Sequence, residues 1–190
     1  MTIKLTAAKV KKFWRGMCDH YGSAVCNKGN AKEMQLVGGF LGALGILNKE
    51  DFLKHYATTL GSRIYVPFKV GSIDPNHSLI SQAVVCVHEH VHVCQDADSE
   101  ASFGLRYLVD KDYRALCEAK AYRTNMEMWW YLTGECPTAA TLAATLKHYG
   151  CDARDIKAAE AYLAKAEKMV RKGAIASPVT KTAIDILEHL

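Results

Sequence analysis

The stretch Val84-Val85-Cys86-Val87-His88-Glu89-His90-Val91-His92 admits two readings, and the fold turns on which one holds. Its β-branched residues and its alternation of His with Val suit a strand. In a strand His88, His90 and His92 share one face and form a His-x-His-x-His metal site. The helical reading has two supports. Ile80, Val84, Val87 and Val91 follow the i, i+4, i+7, i+11 series of a buried helical stripe. Upstream, Asp74-Pro75 offers a capping carboxylate with proline at the first helical position. From there to Gln95 no breaker intervenes, which is long for a strand. The helix is therefore the preferred reading.

Working outward, Thr6 to Tyr21 alternates apolar and basic residues at helical spacing, with Val10, Phe13, Trp14 and Met17 on one face. A second helix is expected over Ala31 to Leu44, weakened by Gly38, Gly39 and Gly42. Asn48 suits the N-cap of a short helix over Lys49 to Tyr56. Ser62 to Val70 is β-branched and aromatic and contains Pro67, so it reads as an edge strand or a short hairpin. Later helices are expected over Lys111 to Leu132 with Gly134 as the stop, Thr138 to Tyr149, Asp152 to Lys172 with Gly173 as the stop, and Val179 to His189. The fold class expected over residues 1–190 is mainly α with a small β element, in one domain.

On a helix, His88-Glu89-His90-Val91-His92 satisfies H-E-x-x-H. Positions i and i+4 lie on one face, so the imidazoles of His88 and His92 can converge on one ion. Glu89 then projects beside the metal, where it can accept a proton from an attacking water. A catalytic zinc site needs a third protein ligand and an open position. Glu118 is the preferred ligand, within the long helix, where Ala115, Ala119 and Ala121 would permit close helix approach. Without a metal, Glu118 reads instead as a buried carboxylate paired with Arg114 one turn earlier. Tyr122, Tyr113 and His77 are candidate donors to an oxyanion. Asp96 or Asp98 could orient a ligand imidazole. His90 would point away from the metal, as a surface group or one behind the ligands. Trp129 and Trp130 are expected to pack in the core or line its rim.

An H-E-x-x-H segment followed by a helix bearing Glu118-Ala119-Lys120-Ala121 resembles the gluzincin branch of the zinc metallopeptidases, the thermolysin-like group. The likeness covers roughly residues 74 to 125 and implies a compact zincin-like domain. It also implies Zn2+ on His88, His92 and Glu118, with Glu89 as the general base. Asp98 falls where the metzincin pattern has its last ligand, but Gln95 stands where that pattern requires glycine. The implied activity is peptide-bond hydrolysis, with Tyr122 assisting and the segment Arg63 to Val70 as the rim for an extended peptide or protein substrate. Short proteins of this layout occur in phage and bacteria.

Two other classes compete. One is a zinc-stabilised structural or interaction protein, such as a component of a phage particle, in which the site is closed or blocked. The other is a helical domain whose histidines are incidental.

Bulk properties set the remaining limits. The 190 residues are 49% hydrophobic and 23% charged, ordinary for a globular domain and unlike a disordered chain. The net charge of +4 is spread out, and its densest run, Lys9 to Arg15, reads as the solvated face of a helix, not as a nucleic-acid patch. Seven widely spaced cysteines without a CxxC pair point to reduced thiols. No signal-like or membrane-spanning run is legible, so the expected location is the cytoplasm, or a virion under the alternative reading.

Overall fold

The computed structural model describes residues 4–28, 31, 34, 56–99 and 103–190. It is mainly helical with one small sheet, as expected. In chain order the elements are α1 (Ala7–Tyr21), β1 (Ala24–Asn27), β2 (Thr58–Leu60), β3 (Arg63–Val66), α2 (Leu79–Ala97), α3 (Phe103–Val109) and α4 (Lys111–Thr133). They are followed by α5 (Ala139–Thr145), which continues as a 3-10 turn (Leu146–Tyr149), then α6 (Ala153–Val170) and α7 (Pro178–Glu188). Apart from Ala31, Met34 and Tyr56, the two helices expected over 31–44 and 49–56 lie outside the described residues.

The ambiguous stretch is helical, in α2. Valine is a modest helix former, so burial, not propensity, holds this helix together. From Gln82 to Val93 every residue except Val85 is buried. The cover comes from α1, α4, α7 and β2. The start of α2 corrects the sequence reading. Asp74 Oδ1 accepts from the amides of Asn76 and His77 at 2.9 and 3.0 Å, closing a turn ahead of the helix. Ser78 is the N-cap, its Oγ accepting from Ser81 N at 3.1 Å.

Polar groups lock the neighbours of α2 in place. The Trp14 indole N–H of α1 donates to the Gln82 carbonyl at 3.0 Å. The buried Gln82 amide accepts from Gly71 N at 2.8 Å and donates to the carbonyls of Ser72 and His77 at 2.8 and 2.9 Å. Gly71 has φ +68°, and a Cβ there would lie 2.6 Å from the Ala7 carbonyl oxygen, so glycine lets this loop touch α1.

In the sheet β3 is central, parallel to β1 (Ala24 beside Arg63) and antiparallel to β2 (Leu60 beside Arg63). Neither reading of Ser62 to Val70 holds as made: the segment supplies one strand, β3, which is central, and its hairpin partner β2 lies ahead of the segment. Pro67 falls just past the last residue of β3, so its missing N–H removes no ladder bond.

Two apolar cores share α4. One gathers α1, β3, α2 and α7 around Phe13, Trp14, Val87 and Met128. The other lies between α4, α5 and α6 around Met126, Leu142 and Leu163. Trp129 and Trp130 sit partly buried against these cores. Gly134 ends α4 as the sequence signals, at φ 77°, and Asp110 caps its start, Oδ1 accepting from Tyr113 N at 3.0 Å. All seven cysteines are free thiols. No described helix is long and apolar enough to cross a membrane.

Candidate metal centre

α2 and α4 lie against each other, and their contact brings three side chains from distant sequence positions to one point. His88 and His92 project from α2 one turn apart, and Glu118 comes from α4. Their exposures are 7%, 7% and 1%. Ala121 lies in the apolar core that also holds the buried valines of α2. Ala115 and Ala119 instead belong to the core with α6, contrary to the sequence reading.

The donor atoms face one another. His88 Nε2 and His92 Nε2 are 3.3 Å apart. Glu118 Oε1 lies 3.2 Å from His92 Nε2, and Oε2 lies 3.5 Å from His88 Nε2. Ligands about 2.0–2.1 Å from a tetrahedral ion stand about 3.3–3.4 Å from one another. The two imidazole nitrogens therefore stand at the separation of a tetrahedral ion's ligands, with one Glu118 oxygen beside each, and the three side chains could hold a metal.

The far side of each ring fixes its tautomer. His88 Nδ1 donates to Asn125 Oδ1 at 3.2 Å, and His92 Nδ1 donates to Gln95 Oε1 at 2.8 Å. Gln95 Nε2 in turn donates to the Cys117 carbonyl at 3.1 Å, which fixes the orientation of its amide. Both rings are thereby directed to present Nε2 to the shared point, the arrangement that metal-bound imidazoles adopt. Asp96 and Asp98, the sequence candidates for that role, do not fill it. Nor does Asp98 join the triad: it caps the end of α2, and its backbone N–H is bonded to Cys94 and Asp96 carbonyls.

Electrostatics favour an ionic pair before any metal arrives. Burial alone would lower the His92 pKa, but the charge and hydrogen bond of Glu118, helped by the Glu89 charge, raise it to about 9. Burial would raise Glu118, yet the His92 charge and the nearness of both imidazoles hold it well below the usual carboxylate range. Arg114 takes no part, unlike in the metal-free sequence reading. Its Nη1 donates to the carbonyls of Tyr107 and Leu108 at 2.6 and 2.9 Å, fastening the end of α3.

Glu89 is 5% exposed. Its Oε2 accepts the Thr59 hydroxyl of β2 at 2.8 Å. Nearby, the buried Lys28 ammonium donates to the Tyr56 carbonyl at 2.8 Å and to Thr58 Oγ1 at 2.7 Å. Burial brings Lys28 down to about 7, against the opposing pull of Glu89.

Aromatic rings wall the centre. Tyr122 packs edge-on against His88, ring centroids 5.2 Å apart. Burial and then the Glu118 charge push its phenol up, opposed by the neighbouring Thr145 and Tyr149. Tyr107, on α3, donates its hydroxyl to Glu118 Oε1. Burial, then the Glu118 charge, keep that phenol protonated, well above its ordinary range. Tyr113 lies under the Arg106 guanidinium, 4.2 Å from its ring centre, and His77 packs on Phe68 ahead of the N-terminus of α2.

His90 is fully buried on the other side of α2, so the surface reading is corrected. A helix covered on all sides leaves no residue of its middle turns in water. His90 Nδ1 donates to the Cys86 carbonyl at 2.6 Å, and Nε2 accepts from Ser23 Oγ at 2.9 Å. Burial lowers its pKa to about 4, against the Cys86 bond and aided by the His20 charge, so the ring is neutral.

Four contributors went unread in the sequence: Gln95, Asn125, Thr59 and Tyr107. Gln95 follows His92 by three, and Asn125 follows Glu118 by seven, so helical spacing alone places each on its ligand's face. Thr59 and Tyr107 arrive through tertiary packing and carry no such signal. Comparison of the chain with protein-family models, curated proteins and solved structures gives no match.

Proposed function

We propose that this chain is a zinc-dependent peptide-bond hydrolase of zincin type, with His88, His92 and Glu118 holding the metal. The observation that carries the reading is the triad itself: two imidazole nitrogens 3.3 Å apart with the Glu118 carboxylate against both, and Glu89 next to His88 in the chain. Two imidazoles and a carboxylate match the donor set of catalytic zinc sites, which keep a further position open. Bound zinc supplies Lewis acidity, bringing the pKa of water to about 7 and polarising a carbonyl.

The chain's own residues do the rest. Glu89 takes the proton from the attacking water and returns it to the leaving amine. Thr59 holds one oxygen of Glu89, leaving the other for that transfer. Tyr122 packs on His88, beside the centre, where its hydroxyl is the candidate donor to the oxyanion. The rim moves from the position expected in the sequence. Among the described residues β3 is paired on both sides, whereas β2 lies at the sheet edge and bonds to Glu89, so β2 is where an extended peptide substrate would align.

A second reading is favoured by one observation, the near-complete burial of the ligands. A closed zinc site suits a structural or interaction protein, for example a phage particle component, that cleaves nothing. The experiment that separates the two is Glu89→Gln in the zinc-loaded protein, assayed on a mixed peptide library. The enzyme reading predicts unchanged zinc and turnover lowered by about 10²–10⁴-fold. Wild-type protein that holds zinc and cleaves nothing would overturn it.

A further inference from the structure

We propose that Tyr107 is a positioning residue for the metal centre, holding one oxygen of Glu118 so that the other alone is offered to the ion. This rests on the reading of His88, His92 and Glu118 as metal ligands and adds to it the way in which the carboxylate binds.

The two oxygens of Glu118 differ in their surroundings. Oε1 accepts the Tyr107 hydroxyl and also faces His92 Nε2 at 3.2 Å. Oε2 is buried without a hydrogen-bond partner, its approach to His88 Nε2 being 3.5 Å. A buried carboxylate oxygen left without a partner is costly. A metal ion at the point shared with the imidazoles removes that cost. Tyr107 therefore sets a division of labour in which Oε1 is held by the protein and Oε2 is free for the ion.

The tyrosine is itself secured. Phe103, one turn earlier on α3, is buried and packs on Tyr107 and His92, with ring centroids 5.7 and 6.4 Å apart. Arg114 of α4 clamps the α3 carbonyls at Tyr107 and Leu108. Glu118 lies one turn beyond Arg114, so α4 both supplies the ligand and fixes the helix that orients it. The purpose of α3 follows: it is a short clamp that sets one carboxylate. Groups that orient metal ligands from behind are worth about 10–100-fold in metal affinity.

The test is cobalt substitution of the full chain, wild type against Tyr107→Phe, with Tyr113→Phe as the control in the same aromatic cluster. In wild type the visible Co2+ spectrum should be intense, as for a four-coordinate ion with one carboxylate oxygen. In Tyr107→Phe the freed oxygen joins the ion, so absorption falls towards the five-coordinate range, and Co2+ binds about 10–100-fold more weakly. Tyr113→Phe should match wild type. An unchanged spectrum and affinity in Tyr107→Phe overturn the proposal while the metal reading stands, and so does an equal change in Tyr113→Phe. Failure of the wild type to bind Co2+ or Zn2+ overturns both. If Tyr107→Phe does not fold, X-ray absorption of zinc-loaded wild type decides. A metal-to-carboxyl-carbon distance typical of one-oxygen binding supports the proposal, and the shorter distance of two-oxygen binding overturns it.

Discussion

His92 and Gln95 stand three residues apart on α2, and the ring Nδ1 of the first donates to the side-chain oxygen of the second at 2.8 Å. Because Gln95 also donates to the Cys117 carbonyl of α4, a single amide sets a ligand's tautomer and ties together the two helices that form the site.

Removing that amide should weaken metal binding without unfolding the protein. Gln95→Leu keeps a similar volume and loses both bonds. The expected loss in zinc affinity is about 10–100-fold, read by competition with a chromogenic chelator. Asn125→Leu should act likewise through His88, which donates to Asn125 at 3.2 Å.

Metal uptake should depend on pH with a defined sign. In the metal-free protein His92 is raised to about 9, so at neutral pH it carries a proton that an incoming ion must displace. Affinity should climb with pH up to about 9 and flatten above it. For the metal-free fold the sign is opposite. A raised histidine contributes stability in full below its unfolded pKa of about 6.5, and loses it as pH rises through about 9. Glu118, held low, contributes above the ordinary carboxylate range and loses its share only as acid protonates it. Calorimetry in buffers of different ionisation enthalpy should register the proton released on zinc binding at neutral pH.

Thr59 should matter to turnover and not to metal content. Its hydroxyl reaches Glu89 Oε2 at 2.8 Å and touches no metal donor. Thr59→Val should lower kcat by about 10–100-fold, the worth of one hydrogen bond to a charged group. Zinc stoichiometry should stay at the wild-type level.

His90 should behave as a core group. Its folded pKa of about 4 lies below the unfolded value, so its contribution is complete above about pH 6.5 and fades as pH falls towards 4. The swing is on the order of 3 kcal/mol. His90→Leu should therefore flatten the stability profile in that window under denaturant titration, with zinc binding unchanged.

What the sequence made legible was whatever helical periodicity encodes. His88, His92 and Glu118 fall on predicted helix faces, and the structure brings them together. The end of α4 follows from Gly134. Where tertiary packing overrides local signals, the reading failed. Asp74-Pro75 resembles a helix start but closes a turn, because Ser78 takes the cap four residues later. Placing β3 at an edge on the strength of Pro67 overlooked that the proline follows the last paired residue. His90 looked peripheral because the cover on the back of α2 comes from α1 and Ser23, far away in the chain. α3 has only seven residues, with Leu105 and Val109 exposed, so it shows no amphipathic pattern and Tyr107 could not be anticipated.

The most direct test is metal analysis of the purified full chain beside its Glu118→Ala variant, after dialysis against trace zinc. Stoichiometric zinc in the wild type, with most of it lost in the variant, is the predicted result. A folded wild type devoid of metal, or a variant that retains all its zinc, would contradict a centre shared by α2 and α4.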